Sequence, residues 1–442
     1  MHKWILLLLL LAPQAHAQTS DRTSDKTSDK TSDTRGFDHR PANPISFAEA
    51  YNSILGRSIR LETQRLRVEE SRERRRQSYG TFLPSVSAAY SENRGDTLLG
   101  TRREAALVGQ VNLFRSGADV AGIKASQRSL ESQTFSLARE EQNAQADAAE
   151  ALIQFIARDQ LVAIGKKLVE VRTDSVRIAR ERFSKGLLPQ QEVDKTAIDL
   201  DIARSRLADS LVEFASAQAR LEAALGHANI RIEWPWKESL MKKADVEVMT
   251  FDLEKRHDWK AALSTTESEK WQRRRAFATL LPSIDLKGSF GNADLSETGR
   301  RDWSAILTLS VPLFDGFTTW GNYKIQGLEE RRAGLALETI RREAPAEVAS
   351  LRQSYQFARD SALAREKTAQ VTSRLYNDNL QRFRLGRASA NDLEIDQSRL
   401  LDSQQLEVQG WLTAHLSYLR LCHSLGGFVD PAGSCRMRES TN

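Results

Sequence analysis

The chain has 442 residues, 28% of them charged and 40% hydrophobic, with a formal net charge of +5 at pH 7. No internal segment approaches the roughly 20 apolar residues that a membrane-spanning helix needs, so a membrane-crossing form of this chain has to be a β-barrel. The charge is modest for the length and gives no support to nucleic-acid binding.

Lys3 precedes an apolar run from Ile5 to Leu11, and Ala15-His16-Ala17 is a small-x-small cleavage site. This pattern is expected of a secretory signal peptide over 1–17; an anchor helix is the weaker alternative because the run is too short to span. No cysteine follows the site, which excludes a lipid-anchored N-terminus, and removal of Lys3 lowers the charge from +5 to +4. Residues 18–44 carry Thr-Ser-Asp-Lys at 23–26 and 27–30, with close variants on either side. The repeat over 19–34 has no apolar residue and cannot offset its ordering entropy, so the 18–44 segment is expected to stay disordered.

From Ile45 onward the chain repeats itself. Leu83-Pro84-Ser85 recurs as Leu281-Pro282-Ser283, an offset of 198. Leu113-Phe114, Arg182-Phe183-x-x-Gly186 and Leu225-Gly226 recur as Leu313-Phe314, Arg382-Phe383-x-x-Gly386 and Leu425-Gly426, each at an offset of 200. Ordered landmarks at one spacing mark a duplication, with copies over 45–226 and 251–427, a connecting segment over 227–250 and a tail over 428–442.

Each copy reads as a helix, a strand pair (83–115 or 281–314) and a long helical hairpin (117–226 or 316–426). In the second copy Ile284, Leu286 and Phe290 alternate with Asp285, Lys287 and Ser289. Ala305, Leu307, Leu309, Val311 and Leu313 alternate with Ser304, Thr308 and Ser310, Ile306 breaking the polar side. The first copy is weaker, with Leu107, Gly109, Val111 and Leu113 against Gln110 and Asn112. About ten residues is the length of a tilted transmembrane strand. Beyond each pair the period becomes helical: Phe155, Val162, Val169, Val176 and Phe183 fall at steps of seven beside Ile164, Val171 and Ile178, and Tyr355, Ala362, Ala369, Tyr376 and Phe383 keep that register. Such heptads predict coiled-coil rods of about 100 Å, broken at Gly186 and Gly386 where the chain turns back. Pro345 predicts a kink in the second rod, not its end.

Four strands cannot close a barrel, for which about eight are needed, and an open sheet edge is unacceptable in lipid. The strands are therefore expected to be shared between subunits. The ordered chain resembles the TolC-like outer-membrane efflux protein family. The likeness lies in the Leu-Pro-Ser entry to a strand, the Leu-Phe-x-x-Gly-type exit (Leu113 to Gly117; Leu313-Phe314-Asp315-Gly316) and the Arg-Phe-x-x-Gly helix tip, all in duplicate. Arg256-His257-Asp258-Trp259 is similar to the family's Arg-Pro-Asp-Leu, with two positions changed.

The resemblance implies a mixed α/β membrane protein: a homotrimer with a twelve-stranded barrel in outer-membrane lipid above a periplasmic helical tunnel. It implies as partners a periplasmic adaptor and an inner-membrane pump that supplies the energy. It also implies a gate at the helix tips lined by the carboxylate six residues after the tip glycine, Asp392 after Gly386 and Glu192 after Gly186. The family's second aspartate, three further on, is Ile395 here, with Asp396 one place later. A plainer reading is that acids early in a helix favour its dipole. A soluble periplasmic coiled-coil scaffold or adaptor is the alternative to the duct.

Phe82, Phe114, Phe314, Phe317 and Trp320 flank the strands where an interfacial aromatic belt belongs. The basic clusters Arg74–Arg76 and Arg273–Arg275 would lie at the periplasmic membrane face or the tunnel wall and read as solvated helix faces, contact with lipid phosphates being the weaker alternative. Cys422 and Cys435 are either disulfide-bonded or two separate thiols, and spacing leaves both open. Motifs for hydrolase, metalloprotease, redox or phosphate-binding chemistry are absent, so no enzyme activity, cofactor or metal is expected.

Overall fold

The computed structural model describes residues 44–94, 101–226, 231–233, 250–292, 301–431 and 433–436. The signal peptide over 1–17, all but the last residue of the 18–44 tract, the strand connections 95–100 and 293–300, and most of the 227–250 segment lie outside the described residues. So does the end of the tail, 437–442.

Ser46 opens the first helix with a reciprocal capping box: the Glu49 N–H donates to Ser46 Oγ, and the Ser46 N–H donates to Glu49 Oε2. The helices α1 (Phe47–Gly56) and α2 (Ile59–Tyr79) lead through a single 3-10 turn to strands β2 (Ser85–Arg94) and β3 (Thr101–Phe114). The long helix α3 (Ala118–Ser184) and its partner α4 (Gln190–Leu225) complete the first copy. The second copy follows in the same order, with α5 (His257–Ala278), β5 (Ser283–Asn292), β6 (Arg301–Ser310), α6 (Thr318–Arg384) and α7 (Ala390–Ser424). Two short pairs escape the sequence reading: β1 (Pro44–Ser46) beside β4 (Arg231–Glu233), and β7 (Phe428–Val429) beside β8 (Cys435–Arg436). They are two or three residues long, too short for alternation to show. Among the described residues no helix is long and apolar enough to cross a membrane.

Both long helices have 67 residues, about 100 Å at 1.5 Å per residue. Helix α6 runs through Pro345 without ending. The heptad rows sink inward at mid-length, where Phe155, Val162 and Val176 on α3 and Tyr355, Ala362 and Ala369 on α6 are buried. Toward the tips they surface, and Phe183 and Phe383 are exposed. The main core is correspondingly local. Leu152, Phe155 and Leu161 of α3 meet Leu221 and Leu225 of α4, Tyr355 of α6, and Trp411, Tyr418 and Leu421 of α7. Nearer the tips only a small cluster remains, of Leu168, Val171, Ala203 and Leu401.

The strand boundaries are tighter than alternation suggests. Val311 and Leu313 were expected within the last strand, but β6 stops at Ser310. Pro312 has no N–H to offer a ladder, whereas the first copy has Asn112 there and β3 continues to Phe114. Each strand then enters its long helix through two consecutive left-handed residues, Ser116 and Gly117 in one copy and Gly316 and Phe317 in the other. Glycine occupies a different one of the two places in each copy, leaving Ser116 (φ 50°) and Phe317 (φ 68°) in a conformation that costs a side chain about 1–2 kcal/mol. Ser116 Oγ donates to the Pro282 carbonyl at 2.6 Å, tying this bend to the strand entry of the other copy.

Candidate functional site

The four long strands form one antiparallel sheet in the order β2-β3-β5-β6, so the two copies join through β3 and β5. Register decides its faces. Ala88, Leu107, Phe290 and Trp303 stand opposite one another across all four strands. On the same face Val86, Gly109, Gly288 and Ala305 form the next row, and Val111, Leu286 and Leu307 the one after. Ser85, Gln110, Lys287 and Ile306 make a row on the opposite face, beside Asn112, Asp285 and Thr308. Ser289 and Ser304 hydrogen-bond across that face at 2.8 Å. One face is thus apolar and the other mainly polar, interrupted by Val108 and Ile306 and by the small Ala89 and Ala106. The apolar face is bare: Val86 is 72% exposed, Trp303 76% and Leu309 66%. The sheet also ends in two edges, β2 and β6, with no further strand beside them among the described residues.

At the other end of the molecule, each Arg-Phe-x-x-Gly motif builds a Schellman turn. The Gly186 N–H donates to the Phe183 carbonyl and the Leu187 N–H to the Arg182 carbonyl, both at 2.9 Å. Gly386 and Arg387 repeat this onto Phe383 and Arg382 at 2.9 and 2.8 Å. Gly186 and Gly386 have φ of 69° and 71°, which is why the motif ends in glycine.

The acidic candidates do not come together as one ring in the chain. Asp392 is exposed and sits three residues after the cap Ser389, whose hydroxyl donates to its carboxylate at 2.7 Å and accepts from its N–H at 3.1 Å. Glu192 is exposed in the matching place on α4, after Pro189, which has no capping side chain. Asp396 is turned into the α6–α7 seam, where it accepts from the Asn379 amide and pairs with Arg399 at 3.5 Å. Farther along, Arg206 of α4 meets Asp402 of α7 at 3.8 Å, an ion pair between the two hairpins, as is Arg420 of α7 with Glu150 of α3 at 4.0 Å.

The five aromatic candidates are all exposed, from 48% at Trp320 to 77% at Phe314. Phe314 and Phe317 touch edge to face at 5.4 Å. Cys422 and Cys435 are disulfide-bonded. The bond holds the β7–β8 hairpin on the core, where the Cys435 N–H donates to Tyr418 Oη at 2.8 Å and Tyr51 Oη donates to the Val429 carbonyl. Burial, then the charge of Asp430, raises the Tyr51 phenol above its ordinary pKa, so it remains a donor.

Sequence reasoning missed a buried polar network at mid-length. Arg256, 4% exposed, grips Asp258 through two hydrogen bonds of 3.0 and 2.7 Å, reaches Glu347 at 3.3 Å and caps the Ser424 carbonyl at 3.0 Å. Burial would raise the Asp258 carboxyl, but hydrogen bonds from Arg256 and the charge of Arg139 hold it below its ordinary value. Arg139 of α3 donates to the His423 carbonyl at 2.9 Å and lies 3.3 Å from His423 Nδ1. His423 Nε2 is 2.6 Å from Asn143 Oδ1, which makes Nε2 the protonated nitrogen. Burial, then the charges of Arg139 and Arg256, push the imidazole down to about 4, so it is neutral near pH 7. The repeat offset held the missing signal. Arg57 caps the Leu225 carbonyl at 2.6 Å, and adding 199 to both numbers gives Arg256 and Ser424. Among the described residues no group of three His, Cys, Asp or Glu could hold a metal.

Comparison with known proteins bears on both ends of this molecule. Protein CyaE of Bordetella pertussis is 28% identical over 302 residues, 63% of this chain and 62% of its own length. Outer membrane protein OprJ of Pseudomonas aeruginosa is 27% identical over 194 residues, 41% of this chain and 39% of its own. The chain thus matches less than two thirds of either relative. The fold matches the Campylobacter jejuni CmeC outer membrane channel with a TM-score of 0.73 at 14% identity, over 89% of this chain and 87% of that one. It matches the open state of the Neisseria gonorrhoeae MtrE outer membrane channel with a TM-score of 0.72 at 18% identity, over 87% and 90%. The model of the family described as outer membrane efflux protein matches residues 50–227 and 252–427, one match for each copy. The chain belongs to the outer membrane efflux protein family, channels of the Gram-negative outer membrane that extend into the periplasm.

Proposed function

We propose that three copies of this chain assemble into a passive duct that carries substrates from an inner-membrane pump, through a periplasmic adaptor, to the outside of the cell. The observation that carries this reading is the sheet. It has one apolar face, one polar face and two open edges. An isolated sheet of this kind is stable neither in water, where the apolar face is exposed, nor in lipid, where the edges are unpaired. Joining β6 of one copy to β2 of the next removes every edge, and three copies give twelve strands, wide enough to leave a lumen. The apolar face then meets lipid and the polar face meets water.

The helices support the same assembly. Ile325, Leu328, Leu335 and Phe357 are exposed along α6, and Ile198, Ile202 and Val212 along α4. The α6 set lies mainly in the half nearer the sheet and the α4 set in the half nearer the tips, so each suits a neighbouring copy at a different height of a closed tunnel. At the tips Asp392 and, more weakly held, Glu192 would ring the narrow end, attracting cations. Asp396 is engaged within its own hairpin and is not counted among them. The duct performs no bond chemistry; its energy comes from the pump.

Fractionation and planar-bilayer recording test the reading. The expected result is recovery in the outer membrane, a heat-modifiable SDS-resistant trimer and discrete conductance steps. Recovery as a soluble periplasmic monomer would overturn it in favour of a scaffold.

A further inference from the structure

Just beyond the sheet, each copy places a lysine at the same height, and both lie over tryptophans of the second copy. Lys124 is the seventh residue of α3 and Lys324 the seventh of α6, 200 positions apart. Lys124 Nζ lies 4.4 Å from the centre of the Trp271 ring, and Lys324 Nζ lies 5.0 Å from that of Trp320. Arg274 stacks on Trp271 as well, at 4.3 Å. Neighbouring arginines are neutralised, Arg273 by Glu330 at 3.0 Å and Arg128 by Glu267 at 2.8 Å. Among the described residues, no ion pair engages Lys124, Arg274 or Lys324.

Direction matters here. Both long helices start at the sheet, and helical side chains lean toward the helix N-terminus. The two ammonium groups therefore reach back toward the sheet along apolar stems, as lysines do at a membrane face. Between them and the strands lies an apolar step, with Leu313 93%, Phe314 77% and Phe317 70% exposed. A ligand suited to this arrangement has an anionic head beside an apolar tail.

We propose that Lys124, Trp271 and Arg274, with Lys324 and Trp320, form a collar that binds the phosphate of anionic phospholipid headgroups in the periplasmic leaflet. The collar rests on the duct reading, which puts the sheet in the membrane. Threefold assembly would repeat it around the circumference.

The test titrates the full-length trimer in neutral detergent with dioctanoyl phosphatidylglycerol, dioctanoyl phosphatidylcholine or inorganic phosphate, following tryptophan fluorescence. The anionic lipid should bind roughly tenfold tighter than the zwitterionic one. The combined variant K124Q/R274Q/K324Q should lose that preference, and the charge-keeping variant K124R/R274K/K324R should retain it. Equal affinities for the two lipids, an unchanged preference in the glutamine variant, or phosphate binding as tightly as the anionic lipid would overturn the collar. Conductance in zwitterionic bilayers separates the two readings. Channels without a lipid preference sink the collar alone, and absence of channels sinks both.

Discussion

Helices α3 and α6 have the same length and the same place in their copies, yet α3 buries twenty residues and α6 only five. The difference comes from position. Helix α3 packs against α2, α4, α5 and α7, whereas among the described residues the long helices packed on α6 are α5 and α7. Buried area stabilises the protomer in the first case. In the second, the bare stripe is what a neighbouring copy would cover. In the proposed assembly, duplicated elements thus serve different levels of structure, one holding the chain together and the other joining chains.

The sharpest way to break this comparison is a matched truncation. Phe155→Ala in α3 should lower protomer stability by about 3–5 kcal/mol, the usual loss for a buried phenylalanine, read as a fall in the denaturant midpoint of the helical signal. Phe357→Ala in α6 should change protomer stability by no more than about 0.5 kcal/mol, leaving that midpoint nearly in place, while weakening the SDS-resistant trimer. Equal effects on the midpoint would end the distinction.

The core that α3 shares with α7 should also be acid-sensitive. The His423 pKa is depressed from 6.5 to about 4 in the folded state, so its contribution is complete above 6.5 and is lost as pH falls from there toward 4. The total is roughly 3 kcal/mol. Unfolding midpoints between pH 7 and 4 should fall more steeply in the wild type than in His423→Gln; parallel slopes would remove His423 from this role.

Smaller effects are expected at the tips. Gly186→Ala and Gly386→Ala each force a side chain into left-handed backbone and should cost about 1–2 kcal/mol locally, seen as faster amide exchange in the last turn. Asp392→Ala should modestly raise single-channel conductance and weaken block by multivalent cations, with Glu192→Ala doing less. Reversal of that order would transfer the gate to the first copy.

Much of this was readable from residues because it depends on local rules. Left-handed backbone at Gly186 and Gly386, strand alternation at Ile284 to Phe290 and heptads along both rods are each written within a few positions. The network around Arg256 and His423 was not readable, because its members come from α3, α5, α6 and α7 and meet only after packing. Asp396 shows the same limit: one position around the helix turns it from an opening to the Asn379 and Arg399 seam.

Sequence alone established the duplication and the order of elements in each copy, since period and spacing are carried by the covalent order. Tertiary structure decided which copy's rod is buried, where Pro312 ends a strand, that Cys422 and Cys435 are joined, and which carboxylates face outward. Those outcomes depend on neighbours distant in the chain, whose positions no local pattern encodes.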